Sequence, residues 1–155
     1  MTRAVGIVTI AVMLAATTTA WAERAPWGDL QAWIGQYPAG PPKVRTGRLW
    51  DVPGVAAMLR RLLPAREARL LTRAYQVESR IERVGTFVTV SVCQPHACPD
   101  AHAMAVLDTE QGRAWFAFFE RRPTAVSTRW YGTDAHSVLP STVLDSFLSG
   151  HESTR

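Results

Sequence analysis

The run AWFAFFE, residues 114–120, is the tightest constraint on the fold. Its six leading apolar residues leave neither face of an extended strand free for water, so the segment demands a central strand covered on both sides. That requires a layered architecture, with a sheet in the middle and further elements above and below it. The neighbouring sequence supplies the sheet. TFVTVSV (86–92) is rich in β-branched side chains and is the clearest strand, and AMAVLD (103–108) and VSTRWY (126–131) resemble it. TEQG (109–112) and RRPT (121–124) read as the turns between them, and Gly85 marks another. Ahead of these, Tyr75, Val77, Ser79 and Ile81 alternate with polar residues as far as Glu82, the pattern of one strand with a wet face.

On either side of this region the hydrophobic period changes to about 3.6. Leu30, Trp33 and Ile34 share one face of a short helix that Tyr37-Pro38 and the Gly40-Pro41-Pro42 run would stop. Val55, Met58, Leu59, Leu62 and Leu63 form a clearer stripe, with Asp51 as the expected N-cap, Pro53 in the first turn and Pro64 as the stop. PAREARLL (64–71) adds another turn or two, folding Leu70 and Leu71 back on the core. Near the end, Leu139, Val143, Leu144, Phe147 and Leu148 predict a helix beginning at Pro140, with Gly150 as its C′ residue. The fold class expected is α+β: a five-stranded antiparallel meander flanked by short N-terminal helices and a C-terminal helix.

The first 22 residues read as a secretory signal peptide. Arg3 precedes an apolar run that ends in the small-residue pattern Ala20-Trp21-Ala22. The run is shorter than the roughly 20 residues a spanning helix needs, and no cysteine stands at the cut site to take a lipid, so no membrane anchor is expected. Residues 23–155 then form a single domain of 133 residues. Without Arg3 the chain carries 16 basic and 13 acidic residues, a net charge of +3, nearly all of the positive charge being arginine. Nothing in that mild excess resembles a DNA- or RNA-binding signature, and no nucleic-acid partner is expected.

Export also decides the state of Cys93 and Cys98, the only two cysteines. In an oxidising compartment they pair with each other. Four intervening residues fit neither a haem-attachment motif nor a redox-active pair, and a zinc ion would want more ligands than this loop has. The stretch VSVCQPHACPD therefore reads as a hairpin tip, with the two cysteines facing one another at a Cα separation of about 5.5 Å. Such a small ring contributes only about 2 kcal/mol through chain entropy. Stiffness is the better reason for it: Pro95 fixes its own φ, the bridge fixes both ends, and His96 is held outward. From the residues alone, a short structural disulfide beside a solvated histidine remains the plainer account. His102 is placed to line the base of the loop, while His136 and His151 read as turn and tail residues. No nucleophile elbow, metal-ligand set or phosphate loop is present, so neither enzymatic activity nor a cofactor is expected.

Cys-Gln-Pro-His-Ala-Cys, after a valine-rich strand and before Ala-Met-Ala-Val-Leu-Asp, resembles the Cys-Lys-Pro-His-Asp-Cys loop of the inhibitor of vertebrate lysozyme (Ivy) family. Ile34-Gly35-Gln36-Tyr37-Pro38, the segment from Leu49-Trp50-Asp51 to Leu63 and the order of strands are similar too. The resemblance implies a periplasmic protein, commonly a homodimer, that inhibits a C-type lysozyme. In the family the disulfide-closed loop enters the enzyme's cleft and its histidine meets two catalytic carboxylates. Carried over, Cys93 and Cys98 would be the bridge, Pro95 the stiffener and His96 the inserted group, with Gln94 and Ala97 completing the lysozyme-binding loop. Gln94 and Ala97 replace a lysine and an aspartate, which with the net positive charge argues for a weaker inhibitor, for another peptidoglycan-lytic enzyme as target, or for a member that has left inhibition altogether. A second reading is a periplasmic binding or assembly factor that contacts the cell's own murein-processing enzymes.

Overall fold

The computed structural model describes residues 27–39 and 47–149. The signal peptide, the Gly40-Pro41-Pro42 run, Gly150 and His151 lie outside these residues. After a 3₁₀ turn at Leu30–Trp33 and another at Leu49–Asp51 come helices α1 (Pro53–Leu62) and α2 (Ala65–Arg69), the latter running into a wide helical turn at Leu70–Ala74. Six strands follow: β1 (Val77–Glu78), β2 (Glu82–Val84), β3 (Phe87–Cys93), β4 (Ala101–Asp108), β5 (Ala114–Arg122) and β6 (Ala125–Tyr131). Helices α3 (Ala135–Val138) and α4 (Ser141–Ser149) complete the described chain.

The antiparallel sheet runs β1-β3-β4-β5-β6, with β2 also pairing to β3. As the apolar run requires, β5 lies inside the sheet with cover on both faces, and Ala114 to Phe119 are all buried. One face carries Val88, Val90, Val92, Phe116 and Phe118 against the N-terminal segment and α1, where Trp27, Leu49, Trp50 and Val55 are buried. The other carries Met104, Val106, Trp115 and Phe119 against Leu139, Val143 and Phe147. This two-layer cover is the α+β arrangement expected from the hydrophobic pattern.

Three local expectations need correction. The alternation from Tyr75 to Glu82 is not one strand but two short ones, so the sheet has six strands. Between them the Ile81 N–H donates to the carbonyl of Gln36, and its own carbonyl accepts from Gly35, both at 2.8 Å. The N-terminal segment thus takes the backbone groups of Ile81 away from the ladder. Val77, expected on the covered face with Tyr75 and Ile81, is 44% exposed. Asp51 is not the N-cap of α1. Pro53 forces the residue before it into extended geometry, making Val52 the boundary, and the Asp51 carboxylate instead accepts from the Arg48 N–H at 3.2 Å. Finally, Leu148 is 47% exposed, because one residue beyond the buried Phe147 the helix has turned it away from the sheet.

The candidate binding loop and its surroundings

The loop grows out of β3 and β4, two inner strands. Cys93 pairs with His102 in the last rung of their ladder, and one step outward the Gln94 N–H donates to the Ala101 carbonyl at 2.9 Å. Cys93 and Cys98 form a disulfide with their Cα atoms 4.8 Å apart, inside the range such a bridge tolerates. Between them the Ala97 N–H donates to the Gln94 carbonyl at 3.0 Å, which closes a four-residue turn. Pro95 occupies its second position and His96 its third, where φ is +62°. Proline followed by a left-handed residue is the signature of a type II turn, in which glycine usually fills the third place. A histidine there carries a steric cost, of order 1 kcal/mol, that a flexible loop would shed by relaxing. Bridge and proline together hold it, with Gln94 and His96 exposed and Pro95 and Ala97 half-buried.

The far side of the loop is pinned as well. The Asp100 N–H and the Ala101 N–H both reach the Ala97 carbonyl, at 2.9 and 2.7 Å, and the Arg121 N–H donates to the Asp100 carbonyl at 2.7 Å. Beneath the bridge lies His102. Its Nδ1 donates to the Cys98 carbonyl at 3.2 Å, and its ring stacks on Phe119 at 4.9 Å and meets Phe147 edge-on at 5.2 Å. Burial pushes its pKa down; hydrogen bonds to the backbone at Cys98 and Phe147 oppose that shift, and the Arg121 charge adds to it. Arg121 also lies over the Phe119 ring at 5.5 Å, continuing the stack. His102 therefore does line the base of the loop, joining it to β5 and α4. His136, on α3, packs edge-on against Trp130 of β6.

Next to the loop is an ionic cluster that sequence reading did not single out. Glu120 receives Arg66 at 2.8 Å, Arg129 at 3.3 Å and Arg122 at 3.6 Å, and Glu67 receives Arg66 at 3.2 Å and Arg129 at 3.7 Å. Burial works to raise the Glu120 pKa, but Arg66 and Arg129 outweigh it and hold the carboxyl below its usual range. The available signal was register. Glu120 follows Phe116 and Phe118 on the inward face of β5, and Arg129 pairs opposite Phe118, both positions the alternation assigns to the core. Among the described residues no group of three or more His, Cys, Asp and Glu is gathered as a metal site would need. No helix among them is long and apolar enough to cross a membrane.

The loop thus presents an exposed histidine at the third position of a bridged turn, with paired charges at its side. Residues 54–144, which run from α1 through the loop into α4, match the sequence profile of the family described as inhibitor of vertebrate lysozyme (Ivy). No curated protein and no solved structure matches the chain.

Proposed function

The chain belongs to the family of inhibitors of vertebrate lysozyme, and on that premise we propose that it acts in the periplasm by plugging the cleft of a C-type lysozyme with the Cys93–Cys98 loop. His96 is the group inserted. A glycosidase of this kind keeps one carboxyl protonated and the other ionised, and both depend on their surroundings. An imidazole between them can hydrogen-bond through each ring nitrogen, and a bond to a charged partner contributes about 1.5–3 kcal/mol. The loop also excludes substrate from the cleft. No chemistry is performed; the protein acts as a stopper.

The observation that carries this reading is the conformation of His96. An exposed histidine in a left-handed position is held there by a disulfide, a proline and a turn hydrogen bond, so little freedom remains to be lost on binding. Export through the N-terminal signal, a soluble mature chain and homodimerisation are parts of the same proposal. His96→Ala should weaken inhibition of peptidoglycan lysis by a C-type lysozyme by at least about 2 kcal/mol, the loss expected of a central anchor. Full inhibition by that variant would remove His96 from the mechanism. Affinity capture from a periplasmic extract that retrieves an endogenous murein-processing enzyme, with no binding to added lysozyme, would favour the assembly-factor reading instead.

A further inference from the structure

Two adjoining depressions of about 340 and 480 Å³ run from Gln94 and Ala97 to the β5–β6 turn, and both are walled by Arg66, Glu120 and Arg122. The charges in this trench are sorted by depth. The Glu120 and Glu67 carboxylates are sunk, with 14% and 8% of their side chains exposed. The guanidinium groups face outward: Arg122 is 68% exposed, Arg66 50% and Arg121 41%. Of the described acids that line the trench, only Asp100 is well exposed, and it is occupied by Arg121 at 3.5 Å. The loop itself adds no charge on this side, because Gln94 and Ala97 are neutral. A cleft that admits His96 and closes over the Gln94 and Ala97 side of the loop would lay its lip against a surface whose outer layer is cationic. Guanidinium groups present paired donors matched to carboxylate geometry, and a lip carrying lysines or arginines would instead be repelled.

We propose that this arginine-rimmed trench selects the target by taking carboxylate side chains at the lip of the cleft that His96 enters. The enzyme inhibited best is then one with an acidic lip, and a strongly basic lysozyme is the poorer partner. The proposal rests on the loop-insertion reading and adds to it the chemistry of the partner.

The test measures association and dissociation rates of the purified, disulfide-bonded protein with two C-type lysozymes, one with aspartates and glutamates at its cleft lip and one with lysines and arginines there. Three variants are compared with the parent at low and at physiological salt: His96→Ala, Arg122→Glu, and Arg83→Glu as a control. Arg83→Glu makes the same change in net charge at an exposed site on β2 that pairs with Val88, five residues along β3 from Cys93. Arg122→Glu should slow association with the acidic-lip enzyme roughly three- to tenfold at low salt and speed association with the basic one, with both effects shrinking as salt rises. Arg83→Glu should change either rate less than about twofold. Equal effects of the two reversals, or none from Arg122→Glu, overturn the trench while leaving loop insertion standing if His96→Ala still weakens binding. An unweakened His96→Ala, or a parent that binds neither enzyme, overturns loop insertion and the trench with it.

Discussion

Removing the bridge separates its share in stability from the share in inhibition proposed for it. In Cys93→Ala/Cys98→Ala the ring of six residues opens, and the chain-entropy relation puts the loss of stability at about 2 kcal/mol. The fold should survive it. The seven paired positions of β3 and β4, from Phe87↔Asp108 to Cys93↔His102, do not depend on the disulfide, nor does either hydrophobic core. Binding should suffer more visibly. Pro95 and the Ala97–Gln94 hydrogen bond keep part of the turn, so freeing the ends returns the freedom of one or two residues. Fixing each again costs about 1–2 kcal/mol. Inhibition should therefore weaken by about 2 kcal/mol, roughly 30-fold. Urea denaturation gives the first quantity, and titration of inhibitor against lysozyme-driven peptidoglycan lysis gives the second. A variant that is folded and inhibits as strongly as the parent would refute preorganisation as the purpose of the bridge. One that fails to fold would refute the placement of stability in the sheet.

Two further outcomes concern the scaffold. His102 has its pKa depressed by burial, so the folded state favours the neutral ring while the unfolded chain takes up a proton near the usual 6.5. Stability should be fully present above about pH 6.5 and fall as acid carries the pH through the depressed value; urea midpoints against pH should show this step in the parent and lose it in His102→Gln. Gly132→Ala should destabilise by about 2–3 kcal/mol, read as a lowered Tm, because φ is +109° there and an added Cβ would sit 2.7 Å from both the Ala114 carbonyl oxygen and Trp115 Cδ1. An unchanged Tm would mean the β6–α3 junction yields more easily than its packing indicates.

Much of the framework was legible because it rests on periodicity. AWFAFFE dictated a strand with cover on both faces, and β-branched runs gave the ladders beside it. The loop was legible through its cysteine spacing and its proline, and the place of His102 through simple adjacency. What escaped notice depends on contacts distant in sequence. The break between β1 and β2 comes from Gln36 and Gly35 taking the backbone of Ile81, 45 and 46 positions away, which no local pattern announces. The left-handed φ of His96 was hidden for a different reason: a residue other than glycine at that turn position gives no compositional warning. The arginine trench was missed because its members are spread from α2 to β6, and scattered arginines look like ordinary solvated surface until register places Glu120 beneath them.

The root of the loop in two inner strands has an implication for change over time. Gln94 to Ala97 belong to neither apolar cluster, and the ladder stops at Cys93 before they begin. Mutations there are shielded from the demands of folding, so natural variation can try new tips while the foundation stays constant. Under the loop insertion proposed above, such a division would let the tip follow an enzyme that is itself evolving, at little risk of losing the protein that presents it.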